Sequence, residues 1–507
     1  MKPDPAMAAL ARQRYVAPMR GGEIDRGQSG PGQARCQQVN RKQAKRHPAP
    51  RGRAWPGLWV LAGLLACGPS TDELRGRDPR PNVLLISMDT TRADHLSAYG
   101  YGRDTSPSLT ALAEQGMRFE VAYSPSATTG PSHASLFTSL APIAHGVVKN
   151  GRPLDAEFET LAEVLGAEGY ETAAVVSSYV LSERFGFGQG FAHFDADFSR
   201  ADVLAGDRLW EGEVVGGKFY GRADDTTRRA LAWLDERENP ERPFFLFVHY
   251  FDPHNPYLPP SDYAPPFTPG PREALKLNRT IFFYDMLLAF TDREIGHLLK
   301  GFDRRGLDPD TLVMVTGDHG EGLMAHGHMF HGVHIYEEGV RVPLIARWPG
   351  HIAPGGVVSE PARLADIAPS VLELAGSVGD GPIYRGSMAQ VLTGSGVLDA
   401  ERPVHLYRRH YSGDDGVEGV YAEGEKFGLR RGRWKLIEGP EEGTLELFDL
   451  ESDPEERTNL AEQEPERTAR MRGEIEAWRG RHTRTDGADV LLSEEDRARL
   501  EALGYAE

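Results

Sequence analysis

The chain has 507 residues, 40 % hydrophobic and 26 % charged, a globular composition long enough for one large domain and one smaller one with ample core. Its formal net charge is −18; residues 1–66 hold 12 Lys/Arg and 3 Asp/Glu and so carry +9, leaving −27 on the rest by difference. A body that acidic repels a phosphate backbone, which argues against a nucleic-acid partner, and an anionic substrate must be drawn by local positive charge, most simply a metal ion.

Residues 1–53 form a basic leader rich in Arg, Gln, Gly and Pro. It has no hydrophobic pattern and reads as disordered; a start further along the chain would remove it. Arg51 and Arg53 then precede an apolar run from Trp55 to Ala66, closed by Leu64-Leu65-Ala66-Cys67. The run is too short to span a bilayer comfortably and fits a signal-peptide core. Segment 54–67 resembles a bacterial lipoprotein signal. That implies lipidation at Cys67 and a membrane-anchored protein of the cell envelope, facing away from the cytoplasm. An uncleaved anchor or a buried strand is the alternative. Cys36 and Cys67 are the two cysteines, too few for a disulfide framework. Residues 68–80 read as a linker.

From Asn82 strands and helices alternate. "NVLLISM" is a buried strand ending at Asp89. "SPSLTALAEQG" is a helix with Ser106 as N-cap, Pro107 at the first helical position and Leu109 and Leu112 on one face. "MRFEVAY" is a strand. "EFETLAEVLGAEG" puts Phe158, Leu161, Ala162 and Leu165 on one stripe, stopped by Gly169. "ETAAVVSS" is a strand and "DDTTRRALAWLDER" a helix. "RPFFLFVHYF" is a buried strand running into the loop "DPHNPYLPP". "FFYDMLLAFTDREIGHLLKGF" is a long helix, "DTLVMVTGDHGE" a strand ending at Asp318, and "VRVPLIARWPG" another strand. Continuous apolar strands separated by helices predict an α/β fold, a mostly parallel sheet sandwiched by helices, over residues 81–380. Ligands of such sheets sit beyond the carboxyl ends of the strands, where Asp89, the segment His249 to His254, and Asp318 all fall. Residues 381–480 read as a smaller antiparallel α+β domain, with Gly-rich turns between short strands. In the tail 481–507, Ser493 caps a short helix.

Asp318-His319-Gly320-Glu321 sets a carboxylate and an imidazole side by side at a strand end, and Asp89 ends another strand. Carboxylates suit hard divalent cations, and zinc also takes imidazole. Each aspartate alone is equally a turn or cap residue. In "SATTGPSHASLFTS", Pro131 suits the first turn of a helix, which places Thr129 at or near the N-cap, where free N–H groups favour an anion. The plain alternative is that Thr129 only caps the helix. His249, inside an apolar strand, reads as a packed core histidine.

Five ordered segments then carry a family resemblance across most of residues 81–465. They are "NVLLISMDTTRADHLSAYGY", "GPSHASLFTSLAPIAHGV", "FLFVHYFDPHNPYLPP", "VTGDHGEGLMAHGHMFHGVHIYEEGVRVPLIARWPG" and "GRWKLI" with "ELFDLESDPEERTNLA". The chain resembles the sulfatase family of the alkaline phosphatase superfamily. Sulfatases carry Cys or Ser, any residue, Pro, any residue, Arg, and oxidise the first residue to formylglycine. Here Thr129 stands at that position and His133 replaces the Arg, so no formylglycine is expected. Thr-x-Pro-x-His resembles instead the nucleotide pyrophosphatase/phosphodiesterase branch, in which a metal-bound threonine attacks phosphorus. "AHGVVKN" resembles that branch's His-Gly-Ile-Val-x-Asn and implies Asn150 as a phosphate-binding asparagine. His331 resembles the position in phosphoethanolamine transferases, where ordinary sulfatases usually carry lysine.

The resemblance implies a divalent metal, zinc, manganese or calcium, held by Asp89, Thr129, Asp318 and His319. A metal-activated threonine would attack in line, with the N–H groups of the helix start holding developing charge. His254 and His331 would touch the substrate oxyanion or leaving group, or hold a second metal with Asp252. The expected activity is hydrolysis of a phosphate mono- or diester, or of a sulfate ester, through Thr129; phosphodiesters or phosphonates suit threonine better than sulfate esters. The substrate would be a small molecule, or a glycan or lipid ester. The alternatives are a phosphotransferase acting on an envelope lipid or glycan, and a non-catalytic lipoprotein that binds anionic glycans.

Overall fold

The computed structural model describes residues 80–198, 208–210, 213–215, 220–270, 276–412 and 422–482, all within the unit Pro69–Glu507. Cys67, the leader 1–53, the signal segment 54–67 and the predicted helix at Ser493 lie outside them.

In chain order the elements are β1 (Asn82–Met88), α1 (Pro107–Gln115), β2 (Met117–Tyr123), α2 (Thr129–Thr138), α3 (Pro142–His145), α4 (Leu161–Ala167), β3 (Glu171–Val175), β4 (His193–Asp195), β5 (Arg208–Trp210), β6 (Glu213–Val215), α5 (Ala223–Glu236), β7 (Phe244–Tyr250) and α6 (Lys276–Arg304). There follow β8 (Thr311–Gly317), α7 (Glu337–Val340), β9 (Arg341–Arg347), β10 (Gly356–Val358), β11 (Ala362–Arg363), α8 (Ile367–Leu374), α9 (Ala389–Leu392), β12 (Val404–Tyr411), β13 (Gly424–Arg431), β14 (Trp434–Gly439), β15 (Thr444–Asp449) and α10 (Pro465–Arg481). The main sheet runs in the order β10-β2-β9-β8-β1-β7-β3-β4, with β11 pairing β2. β8, β1, β7, β3 and β4 are mutually parallel. β9 is antiparallel to both β8 and β2, so the sheet is mostly parallel, as the continuous apolar strands predict.

Alternate residues of the central strands feed two cores. Val83, Leu85, Phe245, Phe247, Leu312 and Met314 face α2, α4 and α8. Leu84, Ile86, Leu246, Val248, Val313 and Val315 face α1, α5 and α6. Both faces are covered, which is why β1, β7 and β8 read as unbroken apolar runs. Helix α4 begins with a capping box between Thr160 and Glu163. At α1, by contrast, Ser106 makes no side-chain cap. Asp292 of α6 accepts instead from the backbone N–H groups of Ser108 and Leu109, both at 2.8 Å, so the cap comes from a residue far along the chain.

A second sheet, antiparallel in the order β12-β13-β14-β15, packs Phe427, Leu429 and Leu436 against Met471, Ile475 and Trp478 of α10. It is tied to α7 through Lys435. This side chain is fully buried, with Nζ 3.0 Å from Glu337 Oε1 and 2.9 Å from Glu456 Oε1. Glu337 also accepts from Tyr123 Oη. Lys435→Ala leaves the buried Glu456 and the partly buried Glu337 without their shared cation, so it is expected to lower the unfolding free energy by about 3–5 kcal/mol. Urea denaturation measures this; a loss under about 1 kcal/mol would show that the triad is not holding the sheet.

Candidate active site

Three parallel strands deliver the acidic rim. Ser87 of β1 stands beside His249 of β7 and Thr316 of β8 in register. The ladder continues past the strand ends, with Asp89 N–H donating to Tyr250 O at 2.9 Å and Asp318 N–H to Met88 O at 3.3 Å. Asp89 and Asp318 therefore emerge at adjacent points of one rim. Gly320 lets the following loop lie against α7, since a Cβ there would stand 2.0 Å from Glu338 O.

Both aspartates are fully buried. Asp318 Oδ1 accepts from the backbone N–H of Thr90 at 3.1 Å and of His319 at 2.7 Å. Asp318 Oδ2 and both Asp89 oxygens find no hydrogen-bond donor among the described residues. His319 Nε2 lies 3.6 Å from Asp89 Oδ1 and 3.6 Å from Asp318 Oδ2. Its Nδ1 faces Gly320 O at 2.8 Å. A carbonyl only accepts, so Nδ1 carries the proton and Nε2 keeps a lone pair for the rim. Burial raises the Asp89 carboxyl to about 7. Burial, then the repulsion of Asp89, raises Asp318 to about 8.

These atoms fit a divalent cation. Three orphaned carboxylate oxygens beside an imidazole nitrogen are costly to bury together unless a shared cation meets them. The ligand atoms of Asp89, Asp318 and His319 lie within 4.8 Å of one another. Ligands each about 2.1 Å from one ion at a tetrahedral angle stand about 3.4 Å apart, close to the spacing seen.

Thr129 enters from α2. Thr128 takes the N-cap and Thr129 is the first helical residue, next to the N-cap. Its Oγ1 is buried, 3.2 Å from His319 Nε2. His133, one turn on, donates from Nδ1 to Thr129 O at 2.8 Å, and its Nε2 lies 2.9 Å from Ser87 Oγ and accepts there. Burial holds this imidazole down to about 3, so a neutral ring braces the first turn of α2. Asn150 Oδ1 accepts from Gly130 N–H at 2.7 Å. An N–H must face an oxygen, so the amide is oriented, and its buried Nδ2 has no acceptor among the described residues.

His254 and His331 stand together on the neighbouring loops, with ring centroids 5.0 Å apart, and His331 is 4.6 Å from the His319 ring. His254 Nδ1 donates to Asn255 O. Burial, then the neighbouring His331, lowers His254 to about 3; burial likewise holds His331 well below the usual histidine range. Asp252 does not join them. Its Oδ2 accepts from Ala223 N–H at 2.8 Å at the start of α5, and among the described residues Asp252, His254 and His331 form no close ligand group. The carboxylate beside His331 is Glu321, 3.3 Å from its Nδ1 and itself accepting from Tyr257 Oη at 2.9 Å. Arg92, paired with Asp94, donates to Glu321 O at 3.1 Å and steadies that loop.

Glu321, Tyr257 and His249 are additions to the site that sequence reasoning did not make. Glu321 had a signal, being three residues after Asp318. His249 had one too, as a lone imidazole two positions before the loop that carries His254.

The sulfatase family model matches residues 81–377, more than half of the chain, and the model of the C-terminal region of N-sulphoglucosamine sulphohydrolase matches residues 325–479. An ulvan-active sulfatase of Formosa agariphila is 29 % identical over 347 residues, covering 62 % of this chain and 66 % of the relative, a little under two thirds of its length. N-acetylglucosamine-6-O-sulfatase of Bacteroides thetaiotaomicron is 23 % identical over 493 residues, covering 80 % of this chain and 86 % of that protein. Among solved structures, the phosphonate monoester hydrolase of Silicibacter pomeroyi superimposes with a TM-score of 0.65 at 22 % identity, over 82 % of this chain and 98 % of that one. The chain belongs to the sulfatase family and is a hydrolase acting on ester bonds.

Proposed function

We propose that the protein cleaves a phosphate diester or phosphonate ester, in preference to a sulfate ester, with Thr129 as the nucleophile. The observation that carries this reading is the buried Thr129 hydroxyl, 3.2 Å from His319 Nε2, which itself lies 3.6 Å from the orphaned oxygens Asp89 Oδ1 and Asp318 Oδ2. Threonine has no route to the aldehyde hydrate of ordinary sulfatases, so the hydroxyl itself must attack. A divalent cation held by Asp89, Asp318 and His319 supplies the Lewis acidity that makes such an oxygen nucleophilic near neutral pH.

The chain's own groups supply the rest. Thr129 Oγ forms a bond to phosphorus as the ester oxygen leaves on the opposite side. Asn150 Nδ2, held by its bond to Gly130, donates to a non-bridging oxygen. His331, backed by Glu321, carries the threonine's proton to the departing alcohol. His254, beside the His331 ring, lines the same side. Water then cleaves the substituted phosphoryl or phosphonyl ester of Thr129 and returns a proton to Oγ.

The test offers the enzyme an aryl phosphodiester, an aryl phosphonate monoester and an aryl sulfate, each with added zinc, manganese or calcium. Rapid acid quench and mass spectrometry follow. Turnover of a phosphorus ester with its alkyl- or arylphosphoryl or phosphonyl group trapped on Thr129 supports the reading. Turnover of the sulfate alone, the outcome in line with the ulvan- and glucosamine-directed relatives, overturns the substrate choice.

A further inference from the structure

We propose that His326 is a positioning residue: as an imidazolium it clasps the tip of the loop whose two arms bring Glu321 and His331 together, and it lets go on losing its proton. The inference rests on the preceding reading for what His331 does, and on the loop's own geometry for the clasp.

Residues 321–331 fold back on themselves. Gly322 N–H donates to Phe330 O at 3.0 Å, Leu323 N–H to Met329 O at 2.8 Å and Met324 N–H to His328 O at 2.8 Å. At the open end Glu321 Oε1 stands 3.3 Å from His331 Nδ1. The turn is strained. Leu323 and Met324 take φ of 44° and 67°, a region that side chains disfavour. A Cβ on Gly322 would lie 2.4 Å from His328 O, so the arms are pressed together. Such strain persists only where surrounding contacts hold it. Met324 is 43 % exposed, so burial of its side chain does not supply the hold.

The hold is at the tip. His326 Nδ1 lies 2.6 Å from Glu338 Oε1 of α7, and its Nε2 lies 3.2 Å from Glu456 O beyond β15. A carboxylate and a carbonyl only accept, so both ring nitrogens donate and the ring is charged. It stacks on Tyr336 with centroids 3.9 Å apart at 18°, and neighbouring Ala325 O accepts from Arg457. The other charged and titratable groups at this corner are Arg92 and Asp94 after β1, His334, Glu337 of α7, Arg341 of β9, and Glu455 and Arg457 after β15. Burial opposes the charge, but Glu338 and Glu456 outweigh it and hold His326 above the usual histidine range. Burial likewise opposes the Glu338 charge, and the bond to His326 holds that carboxyl below its usual range.

A neutral ring keeps one N–H. Deprotonation therefore breaks one of the two bonds and frees the tip from α7 or from the C-terminal sheet. The clasp is complete below the unfolded histidine value of about 6.5 and is lost as pH rises through the higher folded value.

Histidine labelled with 13C at Cε1 reports the ring directly in the metal-loaded protein. The resonance missing from His326→Gln should titrate above about 6.5 in the wild type and move down in Glu338→Gln. Should His326→Gln fail to fold, Glu338→Gln identifies the resonance as the one that shifts most. On an aryl phosphodiester, His326→Gln should lower kcat roughly tenfold at pH 6 and change KM less than kcat. The deficit should shrink as pH rises through the midpoint that the resonance gives. A wild-type midpoint at or below about 6.5 overturns the clasp. So does a kcat deficit equal at every pH, which marks a merely structural residue. If the wild type turns over no phosphorus ester, the Thr129 reading falls, while the resonance still decides whether the clasp exists.

Discussion

Thr129→Ala is expected to lower kcat on any phosphorus ester by at least about 10³-fold, with thermal unfolding shifted by only a few degrees. Structure and chemistry separate cleanly at this position. Helix α2 keeps its N-cap, because that residue is Thr128, and alanine is a good first-turn residue. The side chain is fully buried, so losing its methyl costs about 0.8 kcal/mol. The hydroxyl is another matter, since no other side-chain hydroxyl is seen facing His319 Nε2 among the described residues. Thr129→Ser is the control. It keeps the oxygen and loses the methyl, so it should retain activity within about tenfold while sharing the small stability loss. If Thr129→Ala turns over within tenfold of wild type, or Thr129→Ser is as inactive as alanine, the threonine hydroxyl is not the nucleophile.

The parts of this site that sequence made legible are those set by a single segment. Asp89, Asp318 and His319 each follow an apolar run of strand length, and the parallel topology brings strand ends to one rim. Thr129 was marked by Pro131 two residues on. The parts that escaped depend on pairings between segments that no local pattern encodes. Asp252 and His254 are two residues apart, yet the first turns to the N-terminus of α5 and the second toward His331. His249 reads as core and is fully buried, and its register beside Ser87 also brings its Nε2 to 3.6 Å from Asp89 Oδ2. Helix α1 repeats the lesson: Ser106 sits at the expected N-cap, but the N–H groups of Ser108 and Leu109 donate to Asp292.

Removing the cation should expose the cost of burying Asp89 beside Asp318. In the metal-free fold these carboxyls titrate near 7 and 8, against about 3.9 in an unfolded chain. Between roughly pH 4 and 8 the native state therefore holds protons that the unfolded state has released, and stability falls as pH rises through that window. The contribution is fully present below the unfolded value and gone above the folded one. A shift of three units corresponds to about 4 kcal/mol. Buried His133, His145, His249 and His254, held at about 3 to 4, run the opposite way below pH 6.5 and flatten the whole-protein curve. The clean readout is therefore the difference between wild type and Asp318→Asn, both freed of metal. Asparagine can still accept the Thr90 and His319 N–H bonds through Oδ1 but carries no charge. Its Tm relative to wild type should climb from pH 5 to pH 8.5, so that at the upper end the variant is the more stable protein and yet binds no zinc. Adding zinc should reverse the order, lifting the wild type alone by mass action. A variant that is less stable than metal-free wild type at pH 8.5, or a difference that does not change with pH, would mean that the two carboxylates do not share a cage built for a cation.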